Sequence, residues 1–195
     1  MGIESGSPAV ATGYCNPVMY ADVAGLSLSY EFNSNVAATL FWARPFDLGE
    51  DDGDKNLHDE MDMFGLAVPV SLDGIKVTPW AMYAKIGAAS GYYNYLINYQ
   101  GSAFSMSNMD QGGKSNAWWG GAALAVSLFR PPGLSLAALY GAMSKADLMD
   151  KGGSERTVGA QGWFVDAKLD YKLSWGTPGL VSWWSSGDSA NADDD

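Results

Sequence analysis

Residues 162–173 read Gly-Trp-Phe-Val-Asp-Ala-Lys-Leu-Asp-Tyr-Lys-Leu. Trp163, Val165, Ala167, Leu169, Tyr171 and Leu173 share one parity. Phe164, Asp166, Lys168, Asp170 and Lys172 share the other. A two-residue beat is the signature of a β-strand, because successive side chains point to opposite faces. One face of this strand is apolar with an aromatic near each end; the other carries four charges. It needs a nonpolar medium on one side and water on the other.

The beat recurs along the chain. Val23–Phe32 sets Ala24, Leu26, Leu28, Tyr30 and Phe32 against Gly25, Ser27, Ser29 and Glu31. Further strands are expected at Val36–Phe46, Met61–Leu72, Ile75–Ile86, Ala117–Phe129, Leu134–Met143, Gln161–Leu173 and Leu180–Trp184. Asp73-Gly74 is a two-residue hairpin signal. Asn33–Asn35, Pro131-Pro132-Gly133 and Gly176–Gly179 mark other tight turns. Long polar connections fall at about 47–60, 88–116 and 147–160, so short and long links alternate. In strand four, Lys76 and Thr78 share one parity and Lys85 takes the other; a bulge would reconcile them. Pro69 and Pro79 are expected opposite one another, in a bulged stretch, because proline removes a ladder donor.

Short turns at one rim, long loops at the other and strands of about ten residues describe a transmembrane β-barrel wall. The expected fold is all-β: an antiparallel up-and-down transmembrane barrel, with about eight strands present as part of a larger one. The whole of residues 1–195 reads as a single domain. Trp42, Phe64, Trp118, Trp163 and Trp183 fall at the long-loop ends of their strands, and Tyr30, Phe32 and Tyr171 at the short-turn ends. Two aromatic girdles suit rings that prefer the two membrane interfaces. The alternative use of these rings is packing within a soluble β-sandwich.

The bulk numbers agree with alternation. Hydrophobic residues make up 47% of the 195, yet mean hydropathy is −0.08 and charged residues reach only 17%, below the roughly 25% of soluble domains. Eleven basic residues face 22 acidic ones, a net charge of −11, with no basic stripe for nucleic acid. Cys15 is alone, which excludes an internal disulfide, and His58 lies too far from it for a zinc site. Met1 to Val18 lacks a basic segment followed by an apolar one; either a leader has been removed or the chain begins within a longer protein.

Gly25–Phe32, the hairpin VPVSLDGIKVTPWAMYAKIG at 68–87 and the segment Trp118–Tyr140 resemble the homotrimeric outer-membrane porins of sulfate-reducing bacteria. The likeness covers most of residues 17–187. It implies a large barrel in the bacterial outer membrane, three barrels per assembly, and passive diffusion of small hydrophilic solutes, including anions such as sulfate. Members of that family are longer, and they close on a strand with a terminal aromatic. This chain ends in Ala192-Asp193-Asp194-Asp195, so the expectation is a partial chain, roughly half a wall.

No enzyme chemistry is expected. His58 sits beside Asp59 and Glu60 as a surface histidine, and Asp166 and Asp170 flank Lys168 as an ion-pairing row. Gly120-Gly121 and Gly152-Gly153 lack the setting of a phosphate loop. Asp52, Asp54 and Asn56 follow the opening spacing of a calcium loop without its turn glycine or final glutamate; they are weak calcium candidates. No cofactor is expected.

Function should then lie in the lumen, where rings of charge select solutes. The candidate lining residues are Glu31, Lys76, Asp166, Lys168, Asp170 and Lys172, with Arg44 and Lys85 (and Arg130 and Lys145) close to strand ends. Strand interiors hold the cations while acids concentrate in loops, which favours anions in a pore; the competing reading pairs these cations with lumen carboxylates. The Tyr-rich loop 88–116 is expected to fold inward, to stay on the surface, or to contact a neighbouring protomer. The expected partners are outer-membrane lipid, small polar solutes and further copies of the chain. Two other functions fit the residues: an eight-stranded outer-membrane barrel with a structural or adhesive role, and a soluble lipocalin-like barrel holding an apolar ligand.

Overall fold

A computed structural model describes residues 23–47, 60–87, 114–128, 132–149 and 155–186. The side chains of 145–158 and of 160 are outside that description. The strands are β1 (Ala24–Asn33), β2 (Val36–Asp47), β3 (Glu60–Ala67), β4 (Val70–Leu72), β5 (Ile75–Ile86), β6 (Ser115–Val126), β7 (Pro132–Met149), β8 (Glu155–Tyr171) and β9 (Gly179–Ser185). They form one antiparallel sheet in the order β1-β2-β3-β5-β6-β7-β8-β9. The short β4 continues the line of β3 and pairs with β2 and β5. The all-β antiparallel expectation holds. β1 and β9 end the order, and no ladder joins them among the described residues.

The expected third strand is two strands. Pro69 has no N–H to give to the ladder, so pairing lapses at Val68–Pro69. The register does not shift there. Ala67 pairs with Trp80 and Val70 with Val77, which sets Val68 opposite Pro79 and Pro69 opposite Thr78. The expected bulge is absent and the two prolines are offset by one residue. Val68 N–H donates to the Pro79 carbonyl at 2.9 Å, and Ala37 N–H to that of Pro69 at 3.1 Å. Register shifts fall instead at Glu31/Asn33 in β1, at Ala43/Phe46 in β2, where Pro45 sits, and at Met143/Ala146 in β7.

Register also settles the facing of β5. Its ladders run without a shift from Ile75 to Ile86 on both sides. Lys85 therefore stands on the opposite face from Lys76 and Thr78. The polar loop expected at 147–160 is mostly strand: β7 runs for 18 residues and β8 for 17. The strict alternation of long and short links fails at this hairpin, where the strand pairing continues from Ala146–Val158 to Met149–Glu155.

The two faces of the sheet differ throughout. All the buried side chains described, among them Met61, Met63, Thr78, Ala84, Ile86, Ala117 and Asp166, share one parity; this is the inner face. The other, outer face carries Leu26 (75% exposed), Leu40 (55%) and Trp163 (53%). Tyr30, Phe64, Leu66, Trp118, Val165, Leu169 and Leu180 stand exposed beside them. Among exposed large hydrophobics on these strands, only Val181 and Trp183 of the edge strand β9 lie on the inner side. Trp183 thus leaves the expected girdle, and Trp184 takes the outer position across from Val165.

Turns fix this register. Asn33 Oδ1 accepts from the N–H groups of Asn35 (2.8 Å) and Val36 (3.0 Å), closing the first hairpin. Leu72 pairs with Ile75 across Asp73-Gly74, where Gly74 has φ of 68°. The tight turn expected at Gly176–Gly179 is Ser174-Trp175, bridged by Leu173 and Gly176. A side chain at position 74 would adopt a left-handed backbone and meet Leu128. Gly74→Val is expected to lower the free energy of unfolding by about 1–3 kcal/mol. Urea titration of tryptophan fluorescence in detergent measures it.

Candidate functional site

The inner face is zoned along the strands. Towards the ends of β1, β5 and β8 that carry short turns it is polar. The ladders place Lys76 opposite Ala125, Ala125 opposite Ser135, and Ser135 opposite Lys168. Two lysines thus occupy one row, three strand spacings or about 14 Å apart, with only Ala and Ser between them. The neighbouring row runs Thr78, Ala123, Ala137, Asp166 in the same way. Lys168 is held by Asp170 at 3.1 Å, the ion pairing expected of this strand, and buried Asp166 also has an interaction partner. Glu31 shares the inner face at the far edge, near Ser29, whose hydroxyl lies 2.9 Å from that of Thr39. Lys172 follows β8 and is exposed.

Towards the opposite rim the inner face turns apolar. Met61, Met63, Ala84, Ile86 and Ala117 form a buried cluster, with Phe46, Met82, Trp119 and Met143 packed against it. The Phe41 ring covers Gly65 and the Trp119 ring covers Gly141, each directly across the ladder. An aromatic laid over a cross-strand glycine fills the space that a Cβ would take. At this rim the inner parity is a packed Met/Ala surface. Ala and Met between polar residues give no strong beat, which hid the zone from the sequence.

Arg44 and Lys85 belong to the outer face, not to the row of Lys76 and Lys168. Arg44 Nε and Nη2 donate to the two oxygens of Asp62, both at 3.0 Å, and Trp42 Nε1 donates to Asp62 Oδ1 at 3.0 Å. Asp47 lies 3.6 Å from Arg44 Nη1, and the Arg44 guanidinium stands 5.8 Å from the Trp42 ring centre. Lys85 pairs across the ladder with Asp62 on one side and Asn116 on the other. Tyr83 OH donates to Asn116 Oδ1 at 2.6 Å. This polar row lies immediately beyond an aromatic one.

That aromatic row is longer than the sequence reading made it. Trp42, Phe64, Tyr83 and Trp118 stand in successive ladder positions across four strands. Tyr140 continues it, 5.2 Å from Trp118 and 4.9 Å from Trp163. Tyr83 and Tyr140 were missed, although the Asp73-Gly74 turn sets Tyr83 opposite Phe64 by counting outward from it. At the other end, Tyr30 and Phe32 meet edge to face at 5.0 Å, and Tyr171 lies eight residues from Trp163 on one strand.

Cys15, His58, Arg130 and the calcium candidates Asp52, Asp54 and Asn56 lie outside the described residues, as does most of loop 88–116. Among the described residues no group of three or more His, Cys, Asp or Glu side chains could hold a metal ion, and no helix is long and apolar enough to cross a membrane. No protein-family model matches this chain, and no curated protein matches it.

The Arg44–Asp62 pair is expected to couple in a double-mutant cycle. Arg44→Ala and Asp62→Ala should each destabilise the sheet, and the double variant by less than their sum, with the difference shrinking in high salt. Chemical unfolding of the four proteins measures it.

Proposed function

We propose that this sheet is part of the wall of a transmembrane β-barrel in the bacterial outer membrane, and that its inner face lines a passage for small hydrophilic solutes. The observation that carries this reading is the outer face: large apolar side chains stand exposed on strand after strand, bounded by aromatics at both ends. From Trp163 to Tyr171 the strand rises about 26 Å. At the 35–45° tilt of barrel strands this spans about 20 Å of membrane normal, close to the roughly 25 Å apolar band of such proteins. Charged outer-face residues on the strands, Arg44, Asp47, Glu60, Asp62 and Lys85, gather at one rim, where charge is tolerated.

Among the described residues no ladder joins β1 to β9, which suits a place in a larger barrel. Hydrocarbon offers no partner for edge N–H and C=O groups, so a membrane sheet must close. On this reading the eight strand positions of the sheet are one part of the wall, which further strands complete. Three copies per assembly is the expectation carried by the sequence resemblance.

The inner row of Lys76 and Lys168, separated by small side chains, supports a preference for anions. Asp170 offsets Lys168, which leaves Lys76 as the main uncompensated cation of the row. No chemical step and no cofactor enter this reading. A structural barrel is the second reading, and the buried Met61–Ile86 cluster favours it by filling the inner face at one rim.

Planar-bilayer recording separates the two. Discrete conductance steps are expected from detergent-purified protein; a folded, heat-modifiable barrel without conductance supports the structural role. Lys76→Glu is expected to move the reversal potential in a potassium chloride gradient towards cations. An unchanged potential would remove Lys76 from the selectivity row.

A further inference from the structure

The edge strand β9 turns two large apolar side chains inward. Val181 and Trp183 lie on that side, and Trp183 is 68% exposed. Elsewhere on the inner face an aromatic ring lies over a glycine of the next strand in the order. Phe41 of β2 covers Gly65 of β3, and Trp119 of β6 covers Gly141 of β7. Trp183 has no next strand among the described residues, because β9 ends the sheet.

The free edge of β1 offers a glycine. Gly25 is the one glycine of that strand, and it faces inward opposite Ala43. A Cβ there would meet the Trp42 carbonyl, so the position stays bare backbone. β1 and β9 hold the two ends of eight antiparallel positions and so run in opposite directions, as an antiparallel pair requires. Their edge groups also match. Tyr171 N–H donates to the Pro178 carbonyl and Ser186 N–H to that of Trp163. The even-numbered residues there thus turn their N–H and C=O groups to β8, which leaves those of Gly179, Val181, Trp183 and Ser185 at the edge. Ala37 N–H donates away from β1, to Pro69, so even-numbered residues of β2 and β1 face one another. The groups of Gly25, Ser27, Ser29 and Glu31 are left at the other edge. Both edges therefore present the backbone of inner-facing residues.

We propose that β9 of one copy pairs with β1 of a second copy of this chain, Trp183 lying over Gly25, and that two copies close one barrel of sixteen strand positions. The inference rests on the membrane reading and names the source of the strands that complete the wall. Inner parity meets inner parity only in registers two residues apart. Trp183 opposite Gly25 is the register that repeats the ring-over-glycine contact a third time, with the ring again on the earlier strand of the order. It sets Val181 opposite Ser27 and Gly179 opposite Ser29. On the outer face it sets Trp184 opposite Ala24 and diagonal to Leu26, the ladder partner of Trp42. The aromatic row then runs from Trp163 through Trp184 onto the second copy. On the inner face the bonds of Tyr171 and Leu173 place Lys172 opposite Thr177. Glu31 of the second copy falls next in that row, two strand spacings or about 10 Å from Lys172, while Asp170 is paired with Lys168. The same copy's β1 is not the partner: no ladder joins the two edges among the described residues. An eight-position barrel also fills its interior with side chains, whereas the polar half of this inner face is in large part exposed. Head-to-tail contacts close into a ring, and sixteen is an even count within the range of such barrels.

The test is disulfide cross-linking of the full chain carrying Cys15→Ser, reconstituted in vesicles. Val181→Cys and Ser27→Cys are made on separate chains, refolded together and oxidised. A hydrogen-bonded antiparallel pair sets Cα atoms about 5.5 Å apart, within reach of a disulfide. The mixture is expected to give a dimer on non-reducing gels that neither chain gives alone. Ser29→Cys in place of Ser27→Cys, two residues out of register, should lower its yield severalfold, and so should Trp183→Ala added to the Val181→Cys chain. With Val181→Cys and Ser27→Cys on one chain, dimers are again expected; a cross-linked monomer would overturn the second copy in favour of closure within one chain. Flotation with the vesicles is scored on each variant. Protein that floats but gives no mixed dimer, or equal yields from Ser27→Cys and Ser29→Cys, overturns the pairing alone. Wild-type protein that stays soluble without lipid or detergent and does not float overturns the pairing together with the membrane reading.

Discussion

A single-layer sheet whose large apolar side chains stand exposed on one whole face is a constraint that water cannot satisfy. Soluble monomers rarely expose contiguous apolar patches beyond a few hundred Å². Here the outer row alone includes leucines, tyrosines and tryptophans half or more exposed on β1, β2, β8 and β9. At roughly 150–250 Å² for each large ring, the total is on the order of a thousand Å². The arrangement of the rest follows from placing that face in hydrocarbon. Backbone groups must pair within the sheet; among the described residues the ladders between neighbouring strands are continuous apart from Val68–Pro69 and the register shifts in β1, β2 and β7. Charge must retreat to the rims, and rings with a polar handle must mark them.

The inner face answers a different constraint. It is polar and in large part exposed at one end, and buried and apolar at the other. The polar half sets lysines and acids in rows with small residues between. The apolar half packs methionines and flat aromatic rings over glycines, where Gly65 and Gly141 have no room for a Cβ beneath Phe41 and Trp119. A passage lined this way would be narrowest in water at the Met-rich rim and most selective at the lysine row. The Arg44–Asp62–Trp42 knot, by contrast, works on the outside. It pairs a cation with an anion and ties β2 to β3 beside the bulge at Pro45.

Much of this was legible in the sequence where the beat was strict. The parity of β8 and β1 and the hairpin at Asp73-Gly74 could be read from alternation and turn chemistry alone, whereas the bulge expected within Ile75–Ile86 is absent. The errors share a cause. Proline was taken to distort the register at Pro69, but deleting one N–H only interrupts the pairing, and the turn next door holds the alignment. Lys85 joins the row of Lys76 only if a bulge intervenes, and the unshifted ladders of β5 leave it on the outer face. The polar run 147–160 has no apolar alternation, so parity does not announce the residues that β7 and β8 hold there. The Met/Ala zone carried no beat of contrast at all. Its character depends on what lies over it, which parity does not encode.

The central claim is that the outer parity faces lipid and the inner parity does not. Site-directed spin labels placed singly at Leu28, Ser29, Leu40, Thr39, Val165 and Phe164 in vesicle-reconstituted protein test it most directly. The account predicts that collisional relaxation by oxygen, which concentrates in hydrocarbon, is high at Leu28, Leu40 and Val165 and low at their neighbours. Equal oxygen accessibility at both parities, or access of a water-soluble nickel chelate to the leucine positions, would contradict it.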